Sequence, residues 1–193
     1  MASAALILTV SVGGTVAYLI TQSGEVTNTF SPATLPPTVV EDIDGAVKKE
    51  VSIKNSGDVP AYIRADVIVT WRNNAGEVYG TAPVENQDYS ISIPGTDWVK
   101  GNDGYYYYTK PVTQGDSTAP LFTNAQLKTE TVKQPSDYKL SIEVISQTIQ
   151  ANGVDSDNKK PVLLVWGLSS GGSVTAVDGI SGNLTIATVA TTP

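Results

Sequence analysis

A run of alternating apolar and polar residues between Ala61 and Trp71 constrains the fold more than any other stretch of the 193-residue chain. Its odd positions are all apolar and its even positions are mostly polar, as in a strand with one face in a core and one in water. A shorter alternating run from Val47 to Ile53 precedes it, and residues 55–60 between the two are rich in turn formers. The pattern predicts a β-hairpin over residues 46–71.

A second hairpin is predicted where residues 101–104, which end in an Asp-Gly pair, separate a tryptophan from four consecutive tyrosines. Adjacent tyrosines suit a strand, because successive rings cover opposite faces of a sheet while the hydroxyls still reach water. The alternative is an exposed aromatic platform that binds carbohydrate. The side chains that would form it are Trp98, Tyr105, Tyr106, Tyr107 and Tyr108.

The second half of the chain also favours strands. Residues 138–151 alternate, but their apolar positions change face, and this change predicts a β-bulge near Val144 and Ile145. The apolar run from Val162 to Trp166 is predicted as a short buried strand, and residues 184–189 as a last strand. The length fits one domain. We therefore expect an all-β fold with long loops.

The amino-acid composition argues against several classes of function. The chain has no cysteine and no histidine, so it has no disulfide, no thiolate nucleophile and no imidazole base or zinc ligand. Its formal charge is -7 and its basic residues are scattered, which argues against a nucleic-acid partner. Residues 41–44 and 155–158 are acidic enough to bind a hard cation, but solvated turns are the favoured interpretation. No cofactor is predicted, and the chain is not expected to be an enzyme.

Residues 4–20 carry no charge, and three interpretations compete for them. A membrane-spanning helix needs about 20 apolar residues, and Gly13-Gly14 and several hydroxyl side chains weaken this one. A buried core segment is a second possibility. A secretory signal with a cut after Ala17 is favoured, although the usual basic start is missing. The predicted organisation is a signal-like segment (1–17), an N-terminal strand with a proline-containing linker (18–37) and one β domain (38–193), with no stable membrane span after cleavage.

The segment after this signal is β-capable. Val26, Asn28 and Phe30 alternate with polar neighbours, and Pro36-Pro37 then favours an extended, unpaired chain. Such a segment can be an ordinary edge strand of its own sheet. Alternatively, it can add to the sheet edge of another subunit, with Val26, Asn28 and Phe30 setting the register.

Four stretches together resemble the TasA/camelysin-like exported proteins, whose precursors are processed by a SipW-type signal peptidase. They are LILTVSVGGTVAYLITQSGEVTNTFSPA (6–33), VSIKNSGDVPAYIRADVIVTW (51–71), WVKGNDGYYYYTKPVTQGDSTAPLF (98–122) and EVISQTIQANG (143–153). The resemblance implies a jelly-roll-type antiparallel β-sandwich. The residues from 163 onwards depart from the family pattern.

The resemblance also implies a function. The expected protein is a secreted, non-catalytic subunit of a matrix or surface fibre, located outside the cell, at the cell surface or in a biofilm matrix. Its expected partners are a signal peptidase during export and further copies of itself. One alternative is a monomeric surface-displayed sandwich that binds carbohydrate or a host protein. A camelysin-like peptidase is the second alternative, and the absence of histidine argues against its zinc chemistry.

Overall fold

Antiparallel strands dominate the fold, as the sequence predicts for an all-β protein. The computed structural model describes residues 39–43, 51–95, 97–128, 134–155 and 157–188, and for 39–43 it describes the backbone only. In these ranges the strands are β1 (Val39–Ile43), β2 (Ala61–Asn73), β3 (Tyr89–Ser92), β4 (Trp98–Lys100), β5 (Tyr106–Tyr108), β6 (Asn124–Leu127), β7 (Tyr138–Gln150), β8 (Val174–Val177) and β9 (Leu184–Ile186). A short helix, α1 (Pro161–Val165), and a 3-10 turn (Leu168–Ser170) separate β7 from β8.

Five strands form a central sheet in the order β1-β7-β2-β5-β4. Its middle is the pair β2 and β7, which are antiparallel over their full lengths, from Ala61 opposite Gln150 to Asn73 opposite Tyr138. The predicted hairpin of tryptophan and tyrosines is confirmed, because β4 pairs with β5 and places Trp98 opposite Tyr108. Two smaller sheets, β3 with β6 and β8 with β9, lie outside the central one.

The odd-numbered residues of β2 face the larger core, as their alternation predicts. Ile63, Ala65 and Trp71 are buried there against Leu140 and Ile142 of β7. The β3–β6 sheet and the segments around it cover this core from the other side, contributing Tyr89, Ala125, Leu121, Phe122, Val51 and Ile53. We call this the first core.

The first predicted hairpin is wrong in its pairing. Residues 51–54 do not pair with β2; Val51 bridges Phe122 and Lys54 bridges Ser117, both antiparallel. β7 occupies one edge of β2 along its whole length and β5 pairs with Arg64 and Ala65 on the other edge, while the earlier segment joins the opposite layer. The connection is held by Asn55, which is buried and whose Nδ2 donates to the carbonyl oxygens of Val59 and Val112, both at 2.9 Å.

The β-bulge predicted near Val144 and Ile145 is also wrong. The register between β7 and β2 runs without a shift through both residues. The apolar positions change face because the strand is covered on different sides at its two ends. Leu140 and Ile142 lie in the first core, whereas Ile149 and Ala151 belong to a second core on the opposite face of the sheet.

The second core is covered by residues 161–188, which we call the C-terminal layer. The strand predicted at residues 162–166 is a helix, since α1 spans Pro161–Val165. Pro161 occupies the first helical turn, where its missing N–H costs nothing, and a short apolar run alone cannot distinguish a buried strand from a helix. The layer buries Val162, Trp166, Val174 and Leu184 against Tyr62 and Tyr107 of the sheet. None of the described helices is long and apolar enough to cross a membrane.

Candidate functional site

Arg64 lies on the face of β2 that the C-terminal layer covers, and its guanidinium is enclosed by aromatic rings. Its Cζ lies 4.1 Å from the ring centroid of Tyr105 and 4.8 Å from that of Trp166. Its Nε donates to Gln147 Oε1 at 2.9 Å, across the β2–β7 pair. Weak hydration and a flat shape make a guanidinium the cation best suited to such an aromatic environment.

The charge of Arg64 is balanced by Asp103 from the turn between β4 and β5. Arg64 Nη1 lies 3.4 Å from Asp103 Oδ2, and both side chains are only 13% exposed. Tyr107 lies between them: its hydroxyl accepts from Arg64 Nη1 at 2.9 Å and donates to Asp103 Oδ2 at 2.6 Å. Burial, together with the hydrogen bond to Asp103, raises the pKa of Tyr107 to about 12, so this hydroxyl stays protonated near neutral pH.

The same turn contacts the C-terminal layer. Ser173 Oγ donates to Asp103 Oδ1 at 2.9 Å and accepts from the Asp103 N–H at 3.2 Å. The Asn102 N–H donates to the Ala187 carbonyl oxygen at 3.0 Å. We call Arg64, Asp103, Tyr107, Gln147 and Ser173 the Arg64 network. Its charges are compensated within the network, and it contacts the C-terminal layer through Ser173 and Trp166.

A groove of about 840 Å³ lies beside this network, between the loop that follows β7 and the turn between β8 and β9. Tyr62 forms part of its wall and donates its hydroxyl to the Gly182 carbonyl oxygen at 2.7 Å. Other residues that line it are Pro60, Pro111, Asn152, Lys160 and Leu163. Its lining contains both apolar and polar side chains.

The turn on one rim of the groove is closed by hydrogen bonds to Asp178. Asp178 Oδ1 accepts from the Ser181 N–H at 2.6 Å, from the Ser181 hydroxyl at 2.7 Å and from the Ile180 N–H at 3.1 Å. These hydrogen bonds, those from Ser181 first, lower the pKa of Asp178. The turn presents Ile180 fully to solvent at the edge of the groove.

The five aromatic residues predicted as a binding platform divide between the two faces of the sheet. Trp98 and Tyr108 are buried in the first core, and the Trp98 Nε1–H donates to the Ala119 carbonyl oxygen at 2.9 Å. Tyr107 is buried in the second core, while Tyr105 and Tyr106 are half-buried. The faces of the three buried rings are therefore closed to a stacking ligand.

The other predicted sites are the N-terminal strand and the two acidic stretches. Val26, Asn28 and Phe30 lie outside the described residues. Of the acidic stretch 41–44, residues 41–43 lie in β1 and Asp44 lies outside the described residues. In the loop after β7, Asp155 Oδ1 accepts from the N–H groups of Asp157 and Lys159 at 2.9 and 2.7 Å, so it closes a turn. In the described ranges, no group of three or more histidine, cysteine or acidic residues is placed to hold a metal ion.

One feature that the sequence does not show is that the described strands leave part of one edge of β7 unpaired; we call this part, Ile145 to Gln150, the open edge. Strand β1 pairs with β7 only between Leu140 and Val144, whereas β2 pairs with the whole strand on the other side. From Ile145 to Gln150, the outer edge of β7 has no backbone partner within the described part of the chain. Unpaired N–H and C=O groups on such an edge are a template for another strand.

Comparison with protein families, with curated proteins and with solved structures finds no match to this chain.

Proposed function

We propose that the protein is a secreted, non-catalytic structural subunit that joins its neighbours in an extracellular matrix or surface fibre by strand addition. The observation that carries this proposal is the open edge of β7 from Ile145 to Gln150. In an antiparallel ladder about half of the backbone groups of a strand point to each side. An added strand gains affinity from those groups and specificity from alternate side chains.

The proposed donor is the segment from Val26 to Phe30 of another copy. It has five residues, about 17 Å when extended, and the open edge has six, about 20 Å at roughly 3.3 Å per residue. The lengths therefore match. The alternating side chains Val26, Asn28 and Phe30 would lie on one face of the extended sheet.

A donor from the same chain is disfavoured by two prolines. Strand β1 is antiparallel to β7 with Val39 opposite Val144, so a chain continuing back from Val39 in the same register would place Pro37 opposite Ser146 and Pro36 opposite Gln147. Proline has no N–H for the ladder, so pairing along this edge would stop there. We therefore propose that the donor strand comes from a second subunit.

We also propose that the architecture is the jelly-roll-type β-sandwich that the family resemblance implies. The first core lies between the central sheet and a second layer that contains β3, β6 and the paired residues 51–54 and 117–122. Two antiparallel layers around one core support a jelly-roll-type β-sandwich. In this proposal the C-terminal layer is an addition that covers the opposite face of the central sheet.

Cysteine cross-linking tests the proposed contact directly, because the chain has no native cysteine. Mature Asn28→Cys protein with one affinity tag is mixed with Thr148→Cys protein with another, and a short bis-maleimide is added. The proposal predicts dimers that carry both tags. The matched control replaces Thr148→Cys by Thr175→Cys, an exposed position on β8, and should give few such dimers. Equal yields with the two partners would refute the proposed edge.

A second function, ligand binding by a monomer at the cell surface, is supported by the 840 Å³ groove. An oligosaccharide panel tested by calorimetry addresses it. Binding that is lost in Ile180→Asp, on the groove rim, and kept in Thr175→Asp, on β8, would support this function. Absence of binding across the panel would count against a carbohydrate ligand.

A further inference from the structure

Asn152 and Gly153 form an Asn-Gly pair at the end of β7, on the rim of the groove. Asn152 is exposed, and Gly153 has a φ of +86°, a conformation that glycine adopts without strain. Within the described part of the chain, neither the Asn152 side chain nor the Gly153 N–H makes a hydrogen bond. Both reacting groups of a succinimide-forming step are therefore free.

We infer that Asn152-Gly153 is a site of spontaneous deamidation and backbone isomerisation. The Gly153 nitrogen loses its proton to solvent base and attacks Asn152 Cγ, forming an N–C bond. The C–N bond of the side-chain amide then breaks, and ammonia leaves with a proton taken from water. Water opens the resulting succinimide at either carbonyl, which produces aspartate or isoaspartate. The step needs only water and no oxidant or reductant.

The structure protects other asparagines by holding their side chains. Asn55 is buried, and its side chain makes three hydrogen bonds to backbone groups of Val59, Val112 and Gly57. Asn73 is half-buried, and its Oδ1 accepts from the N–H groups of Ala75 and Glu77 at 3.0 and 2.9 Å. Its side-chain amide is therefore held in place.

A second group is protected because the attacking N–H is already bonded. After Asn102, the Asp103 N–H donates to Ser173 Oγ at 3.2 Å. After Asn158, the Lys159 N–H donates to Asp155 Oδ1 at 2.7 Å, and after Asn183 the Leu184 N–H donates to the Thr109 carbonyl oxygen at 2.7 Å. Asn152 combines an unrestrained side chain with a free following amide, and glycine there offers the least steric hindrance to attack.

The modification would change the groove in two ways. A carboxylate at position 152 adds a negative charge to a groove that also contains Lys160. Isoaspartate also adds a methylene to the main chain directly after Ala151, whose N–H donates to the Pro60 carbonyl oxygen at 2.9 Å. Aged protein is thus a chemically distinct form at this end of β7.

Peptide mapping tests the inference without reference to assembly. Purified protein is incubated at mildly alkaline pH and digested with trypsin, which releases residues 140–159 containing both Asn152 and Asn158. Aspartate and isoaspartate should accumulate at Asn152 while Asn158 in the same peptide stays intact. In urea-unfolded protein, the difference in deamidation rate between Asn152 and the two residues Asn73 and Asn102 should become smaller, because the hydrogen bonds that restrain those two are gone.

Two variants complete the test. Gly153→Asn introduces a residue type that tolerates positive φ, and its side chain hinders attack by the backbone nitrogen of position 153. This variant should form much less aspartate and isoaspartate at Asn152. Asn152→Gln should abolish both products. The inference is overturned if Asn152 in folded protein stays intact, or if it converts no faster than Asn158.

Discussion

Tyr107 donates its hydroxyl to Asp103 across 2.6 Å, and this bond lies between the positive charge on β2 and the turn that contacts the C-terminal layer. One carboxylate is thus shared by a tyrosine, an arginine and a serine from three separate parts of the chain. The Arg64 network is one of several polar connections between the described sheet and the C-terminal layer, beside the hydrogen bonds from Tyr62 to Gly182 and from Leu184 to Thr109. Its removal should loosen that layer before it affects the first core.

Arg64→Met should destabilise the fold by about 3 kcal/mol, because it leaves the Asp103 carboxylate largely buried without its cation. The matched control is Arg72→Met on the same strand, whose ion pair with Glu143 is more exposed and should cost at most about 1 kcal/mol. Urea unfolding measures both free energies. Equal losses of unfolding free energy in the two variants would contradict a larger contribution from the more buried ion pair.

The free energy of unfolding should fall at alkaline pH because Tyr107 loses its proton more readily in the unfolded chain than in the folded protein. Its pKa is about 12 in the folded protein against 10.0 for a free tyrosine, so folding favours the protonated form. That contribution is complete below pH 10 and is lost as pH rises towards about 12, amounting to about 2–3 kcal/mol in all. Tyr107→Phe should therefore show a smaller alkaline loss than wild type in urea unfolding. An unchanged pH profile would contradict the assignment.

Gly101→Ala should weaken the contact between the β4–β5 turn and the C-terminal layer. A Cβ at this position would lie 2.5 Å from Ser173 Oγ and 2.7 Å from Asp103 Oδ1, so the network must shift, at a cost of about 1–3 kcal/mol. Gly179→Ala is the control, since a Cβ there meets nothing within 4 Å. Limited proteolysis should cleave the C-terminal layer faster in the first variant only. Similar cleavage of both would refute the steric argument.

Local patterns predicted strands well where apolar residues alternate along the chain or where aromatic residues flank a tight turn. The alternation over Ala61–Trp71 and the aromatic hairpin from Trp98 to Tyr108 are both present. The pairing of strands was harder to predict, because segments far apart in the chain can pair with the same strand. β2 pairs with β7 along its whole length, and residues 51–54 pair with residues 117–122 instead.

The second core explains the other differences. Apolar residues on both faces of β7 indicated a bulge only because no covering layer was expected on the second face. The Arg64 network was also missed, since Arg64 fitted the wet face of its strand and Asp103 fitted a solvated turn. Tyr62 beside Arg64, and Ile149 beside Gln147, were the available signals that this face is covered.

In the proposed fibre, the N-terminal segment of one subunit pairs with the open edge of β7 in the next. Electron microscopy of the mature protein, with and without residues 18–31, tests this pairing most directly. Intact protein should form filaments with density for residues 26–30 of one subunit beside Ile145–Gln150 of its neighbour, and the truncated protein should stay monomeric. Filaments that form equally well without residues 18–31, or an intact protein that stays monomeric under all conditions, would contradict it.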